Sequence, residues 1–329
     1  MTTDPPPVDP LLARPSFDPA VLADHGFPTI SYDALVIGET FRSDDRLIRP
    51  QDIEAYAFAV EDHDPWFFGP SPFGGPIAHP TLLANQALFL RHSRYVVPAG
   101  LHARMRFEFL APIPLGTRAR TTGVLIDTYM RRDKPYMVTG FETADEAGTA
   151  LVRGSFVQML FREETAPAAG SAAPVEPEAP VFDPATRSCQ GRHTIIAGGR
   201  ELASVSRLLE QRQIDVYSGV RPGSIHTDPS WARAKGFPTT IAQGMMSTAY
   251  VSAMMTDAFG AGFIVGGTMD VRFLRPVFEG RRLTTSGHVM GFVQNDDGLQ
   301  AHVEVAVHDD QGARTLAGTA TARVTPTET

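Results

Sequence analysis

The stretch SGVRPGSIHTDPSWA, from Ser218 to Ala232, gathers ionisable side chains among glycines and prolines. It carries a histidine, His226, with an arginine five residues earlier, Arg221, and a carboxylate two residues later, Asp228. Histidine is the side chain suited to moving a proton near neutral pH, although in a loop it can equally cap backbone. Arg221 either sits in solvent or recognises a carboxylate or phosphate, which a guanidinium pairs bidentately. A second cluster, Asp62, His63 and Asp64, has the look of a metal-ligand run. No further His or Cys stands at ligand spacing, so no metal is expected there. His79 either donates into a pocket or serves as a structural hydrogen-bonding group. The glycines of GGTMD and AGGR match no phosphate-loop pattern, and no cofactor is expected.

Composition narrows the class. The chain has 329 residues, 43% hydrophobic and 20% charged, which suits a globular protein with room for two cores. A net charge of -8 argues against nucleic acid as a partner, because phosphate binding needs concentrated Lys and Arg. No apolar run approaches the about 20 residues that span a bilayer. The opening MTTDPPPVDPLLARPSFDPA has no basic and apolar leader pattern, and the single cysteine, Cys189, excludes an intramolecular disulfide. A cytoplasmic location is expected.

The elements that must position these residues occur twice. MRFEFLAPIPLGTRARTTG, from Met105, matches MDVRFLRPVFEGRRLTTSG, from Met269, at an offset of 164. The same offset relates IAHPTLLANQALFL, from Ile77, to IAQGMMSTAYVSAM, from Ile241, and the two together indicate a duplication. The expected organisation is a Pro-rich segment over 1–28, a first half over 29–162, a Pro/Ala-rich linker over 163–190 and a second half over 191–326. Each half opens on an amphipathic stretch, RPQDIEAYAFAV (with Pro50 suited to a first helical turn) and SRLLEQRQIDVYSG. A mostly apolar segment follows, 78–90 in one half and 242–256 in the other, and predicts a buried helix. Four strand-like runs close the second half: FIVGGTMDVRFLRP, RLTTSGHVMGFVQN, GLQAHVEVAVHDD and ARTLAGTATARV. Alternation over 301–307 and the turn signals NDDG and DDQG support them. A helix covered by an antiparallel sheet is an α+β arrangement. Met245, Met246, Met254 and Met255 are expected in the core or lining an apolar tunnel.

The loop YSGVRPGSIHTDPSWA, followed by IAQG and the strand TMDVRFLRPVFEGRRL, resembles the MaoC-like, or (R)-specific enoyl-CoA hydratase, family. The resemblance covers about 30–161 and 192–324. It implies a double hotdog fold, in which each half wraps a long central helix in an antiparallel sheet. It also implies a hydratase or dehydratase acting on an enoyl or 3-hydroxyacyl thioester, carried on CoA or an acyl-carrier protein. In the family an Asp and a His on one loop activate a water, and a backbone N–H at the start of the central helix holds the thioester carbonyl.

His226 falls at the family's histidine and Gly244 at the oxyanion position, with Gln243 beside it. The family's aspartate is absent: Arg221 stands in its place, and sliding the register by one brings Val220 there instead. Asp228 matches a family position behind the histidine and is a candidate substitute acid. In the first half, Asp62 takes the Asp place and Phe67 the His place if the loop is about five residues shorter, whereas a gapless match pairs Asp62 with His226. Pro80 replaces the oxyanion glycine and has no N–H to donate. This half is expected to accommodate the acyl chain without catalysing. The candidate catalytic residues are therefore His226, Asp228 and Asp62, and the candidate substrate-binding residues Gly244, Gln243, Arg221 and His79. Two alternatives stay open: an isomerase or thioesterase on the same scaffold, or a degenerate acyl-CoA-binding partner subunit without catalysis. A monomer, a homodimer and a pairing with a related hotdog chain are all compatible with the duplication.

Overall fold

The computed structural model describes residues 26–97, 100–160, 194–295 and 298–324. The expected linker over 163–190, and all but the last residues of the segment expected over 1–28, lie outside them.

The strands form one antiparallel sheet of twelve. The first half supplies β1 (Thr40–Arg42), β2 (Arg46–Leu47), β3 (Gly100–Phe109), β4 (Arg118–Arg131), β5 (Lys134–Asp145) and β6 (Ala150–Leu160). The second supplies β7 (Thr194–Glu201), β8 (Ser206–Leu208), β9 (Thr268–Phe273), β10 (Arg282–Asn295), β11 (Gly298–Asp309) and β12 (Arg314–Arg323). The order β1-β4-β5-β6-β3-β9-β12-β11-β10-β7 joins the halves through β3 and β9. The alternation read over 301–307 places Ala301, Val303, Val305 and Val307 in the core. The run FIVGGTMDVRFLRP becomes a strand only from Thr268, because Ala261–Ile264 is a short helix and Gly266 turns the chain at φ +94°.

At the seam Arg106 pairs with Asp270, and these two residues lie one repeat apart. The pairing is thus symmetric about a position where the two copies carry opposite charges. Arg106 Nε donates to Asp270 Oδ2 at 2.6 Å, and Arg104 Nε donates to Oδ1 at 2.7 Å. Burial by itself would raise the Asp270 carboxyl, yet the two guanidiniums hold it below the usual carboxylate range.

Helix α1 (Pro50–Val60) starts on Pro50, as expected, with the Arg49 N–H bonded to Asp52, and ends at Glu61 in the left-handed region. Helix α3 (Gln211–Ser218) repeats the device, with the Glu210 N–H bonded to Gln213. It is shorter than the sequence suggests. Ser206–Leu208 instead pair with β10, whose open edge takes the Val205 carbonyl through the Thr285 N–H. The two helices pack together, with the rings of Tyr56 and Tyr217 5.5 Å apart.

The central helix of the second half, α5 (Gly244–Phe259), follows a short helix α4 (Pro229–Ala234). Every residue from Met245 to Thr256 is buried, since the sheet wraps the helix and leaves it no polar face. Its four methionines are fully buried and each contributes about 2 kcal/mol. In the first half the expected helix over 78–90 is not formed as one piece. Only α2 (Ala84–Phe89) is α-helical, followed by a 3-10 turn at Leu90–Ser93. Pro80 has no N–H to give, and the Thr81 N–H goes to His79 Nδ1 at 3.1 Å. Leu82, Ala84 and Gln86 then bond three residues back instead of four.

Asp270→Ala leaves Arg104 buried without its carboxylate. Thermal or urea unfolding should show a loss of about 3 kcal/mol, partly recovered when Arg104→Met is added.

Candidate active site

A cavity of about 210 Å³ lies where the start of α5 faces the first half. His226, Arg221, Gln243 and Gly244 line it from the second half, and Arg91, His92, His102 and Gln158 from the first.

The loop carrying His226 is held by its own polar groups. The Gly223 N–H, at φ +70°, donates to Asp228 Oδ2, and the His226 N–H donates to Ser224 Oγ. Asp228 Oδ1 accepts from the N–H groups of Ser230 and Trp231, capping α4. The backbone N–H groups of Trp231 and Gly223 hold its carboxyl below the usual range. Asp228 is thereby committed to backbone and does not line the cavity, so it stands apart from the proton-handling place considered for it.

His226 Nδ1 lies 2.7 Å from the carbonyl oxygen of Ile241. A carbonyl only accepts, so Nδ1 carries the proton and Nε2 keeps a lone pair. Burial, and then the charge of Arg221, lowers the pKa to about 4, although the Ile241 carbonyl pulls the other way. The imidazole is therefore neutral at physiological pH. Gln211 fixes the loop from below: its Nε2 donates to the His226 carbonyl at 3.0 Å and to Asp215, and its Oε1 accepts from Thr240. Gln211 escaped the sequence reading because it sits fifteen residues from His226 and joins it only through space.

The chain enters α5 through hydrogen bonds from Ile241 N–H to Ile225 O and from Ala242 N–H to Val277 O. As the first helical residue, Gly244 has an N–H with no intrahelical acceptor, at the positive end of the helix dipole. A Cβ on Gly244 would stand 2.8 Å from the Phe273 ring, which explains the glycine.

The first half repeats this framework with other side chains. Ile77 N–H donates to Trp66 O and Ala78 N–H to Ile113 O, matching the bonds of Ile241 and Ala242. Trp66 thus corresponds to Ile225 and Phe67 to His226, which favours the shorter-loop alignment over the gapless one. Asp62 and His79 meet each other and not His226. His79 Nε2 is 3.2 Å from Asp62 Oδ2, and His79 Nδ1 accepts from Thr81, whose Oγ1 reaches Tyr56 Oη at 2.8 Å. Burial would raise the Asp62 carboxyl, but His79 keeps it below the usual range. Neither residue lines the cavity. Asp64 caps the turn at Trp66 and His63 stacks on Phe68, so the Asp-His-Asp run faces three ways.

No Asp or Glu appears among the cavity-lining residues. Burial, then Arg91 and His226, takes His102 to about 3, and burial with Arg91 and Arg221 takes His92 well below its ordinary value. The cavity is walled by neutral imidazoles and positive guanidiniums.

Residues 194–312 match the family model described as a MaoC like domain. No curated protein matches the chain. A solved structure described as a MaoC-like dehydratase is 18% identical, with a TM-score of 0.68, covering 90% of this chain and all of the other. A conserved hypothetical protein of Mycobacterium tuberculosis, described as having a double hotdog fold, is 15% identical with a TM-score of 0.63, covering 90% and 98%. Full-length peroxisomal multifunctional enzyme type 2 from Drosophila melanogaster is 19% identical with a TM-score of 0.61; the match covers 86% of this chain but 48% of that one. In agreement with the sheet and its two wrapped segments, this chain carries a MaoC-like domain over its second half and has the double hotdog fold.

Proposed function

We propose that the chain is a hydratase or dehydratase of an enoyl or 3-hydroxyacyl thioester, on CoA or an acyl-carrier protein, with His226 moving the proton. The observation that carries this reading is the His226 tautomer: Nδ1–H is held by Ile241 O, and a neutral Nε2 remains in a cavity shared with the start of α5. In the dehydrating direction Nε2 takes a proton from C2, and negative charge moves onto the thioester oxygen. The Gly244 N–H and the helix dipole stabilise that charge. The same nitrogen then returns the proton to the C3 hydroxyl, which leaves as water. One base suffices when both bonds break on the same face. The cavity is plugged neither by Trp231 nor by the methionines of α5, which supports a site that receives a ligand. The first half, with Phe67 and Pro80 at the corresponding places, has neither base nor oxyanion donor and serves the acyl chain.

A second reading rests on the missing carboxylate. Moving a proton along an acyl chain needs one base and no activated water, so an isomerase fits the same groups. Product analysis separates the two.

With enoyl-CoA substrates followed by loss of enoyl absorbance, His226→Ala should lower kcat/KM about a thousandfold while the fold persists. Wild-type kcat/KM should stay level as pH falls to about 5 and drop only near the His226 pKa, since protonation of Nε2 removes the base. An acidic limb near the ordinary histidine value, about 6.5, would refute the buried neutral base. Gly244→Ala ordinarily favours a helix by about 1 kcal/mol. Here it should lower Tm and kcat through the Phe273 ring, and Phe273→Leu should restore the Tm.

A further inference from the structure

The part of the cavity wall that the first half supplies contains a guanidinium that the proposed reaction does not use. Arg91 is 2% exposed and lines the cavity. Its partners are the Leu88 carbonyl, the Met137 sulfur and the Phe156 ring, 5.7 Å away, and its Nε has none. No carboxylate among the described residues acts on it; burial alone lowers its pKa, to about 9, so it stays charged at neutral pH. A buried cation with no anion is costly, and such groups otherwise occur paired. Gln158, also in the wall, is 4% exposed, and its amide oxygen is buried without a partner. His102 lines the same cavity as Arg91 and His226. The cavity thus joins the reacting groups His226 and Gly244, from the second half, to the buried guanidinium of Arg91, from the first.

We propose that this cavity takes an acyl group ending in a carboxylate, a half-thioester of a dicarboxylic acid, with Arg91 receiving the carboxylate. The inference rests on reading the cavity as a thioester site. The other source of an anion is the phosphates of the carrier. A carboxylate is favoured because Arg91 is 2% exposed and lines the same cavity as His226, whereas the phosphates of a carrier are strongly hydrated and lie a pantetheine arm away from the thioester.

The test compares wild type, Arg91→Met and Arg91→Lys on glutaconyl and crotonyl thioesters, each as the CoA ester and as the phosphate-free N-acetylcysteamine ester. Binding of free glutarate is read in parallel by thermal shift. In wild type, kcat/KM should favour glutaconyl about a hundredfold with either carrier. The ratio should fall to near one in Arg91→Met and to an intermediate value in Arg91→Lys, which guards against a folding failure of the first variant. Glutarate should raise the Tm of wild type and not of Arg91→Met. A wild-type ratio near one, or a ratio that Arg91→Met leaves unchanged, overturns the proposal. A preference seen with CoA esters and lost with the phosphate-free esters also overturns it, by assigning Arg91 to the carrier. If neither thioester turns over, the hydratase reading falls, and the glutarate shift alone decides the anion site.

Discussion

The pairing of β3 with β9 is the constraint on which the rest depends. It brings together residues one repeat apart, so that Arg106 faces Asp270. In a symmetric dimer of identical copies, like would face like at that place. The fused chain puts a guanidinium against a carboxylate and adds Arg104 from the same strand. A slip by one residue would turn every side chain of the strand to the wrong face, and would break a charge-assisted pair that is partly out of water. The cavity draws walls from both halves and therefore exists only in this register.

Duplication also freed the halves to diverge. The second keeps a long buried helix with a glycine at its start and a histidine above it. The first has Pro80 and Phe67 at those places, and its central segment is wound in short turns. Residues from that segment, Arg91 and His92, reach the cavity. The carboxylates Asp62, Asp215 and Asp228 are all engaged elsewhere, Asp62 with His79, Asp215 with Gln211, and Asp228 with backbone N–H groups. A cavity lined by guanidiniums and, among the described residues, by no carboxylate keeps its histidines neutral, because desolvation and like charge both disfavour protonation.

Much of the fold was legible because its causes are local. Pro50 opens α1, the apolar run over 242–256 becomes α5 from Gly244 onward, and alternation marks β11. The errors arose where a distant group competed for the backbone. Ser206–Leu208 were drawn into the sheet by β10, and the helix over 78–90 was broken when the Thr81 N–H turned to His79. Of the candidate site, His226 and Gly244 were legible from their spacing, and both line one cavity. Phe273 and Gln211 carry no local signal, since their importance comes from what packs against them.

By itself the sequence determined the duplication, the double hotdog plan and the absence of an aspartate from the His226 loop, because these are matters of residue type and spacing. The tertiary structure alone decided which nitrogen of His226 bears its proton, that Asp228 is spent on capping, and that Arg91, His102 and Gln158 complete the cavity from more than sixty residues away in the chain. The last of these needs the β3–β9 seam that joins the halves, whereas the first two follow from how the His226 loop folds onto itself and onto the entry to α5. Hydrogen bonding and desolvation depend on distance in space, which residue order does not encode locally.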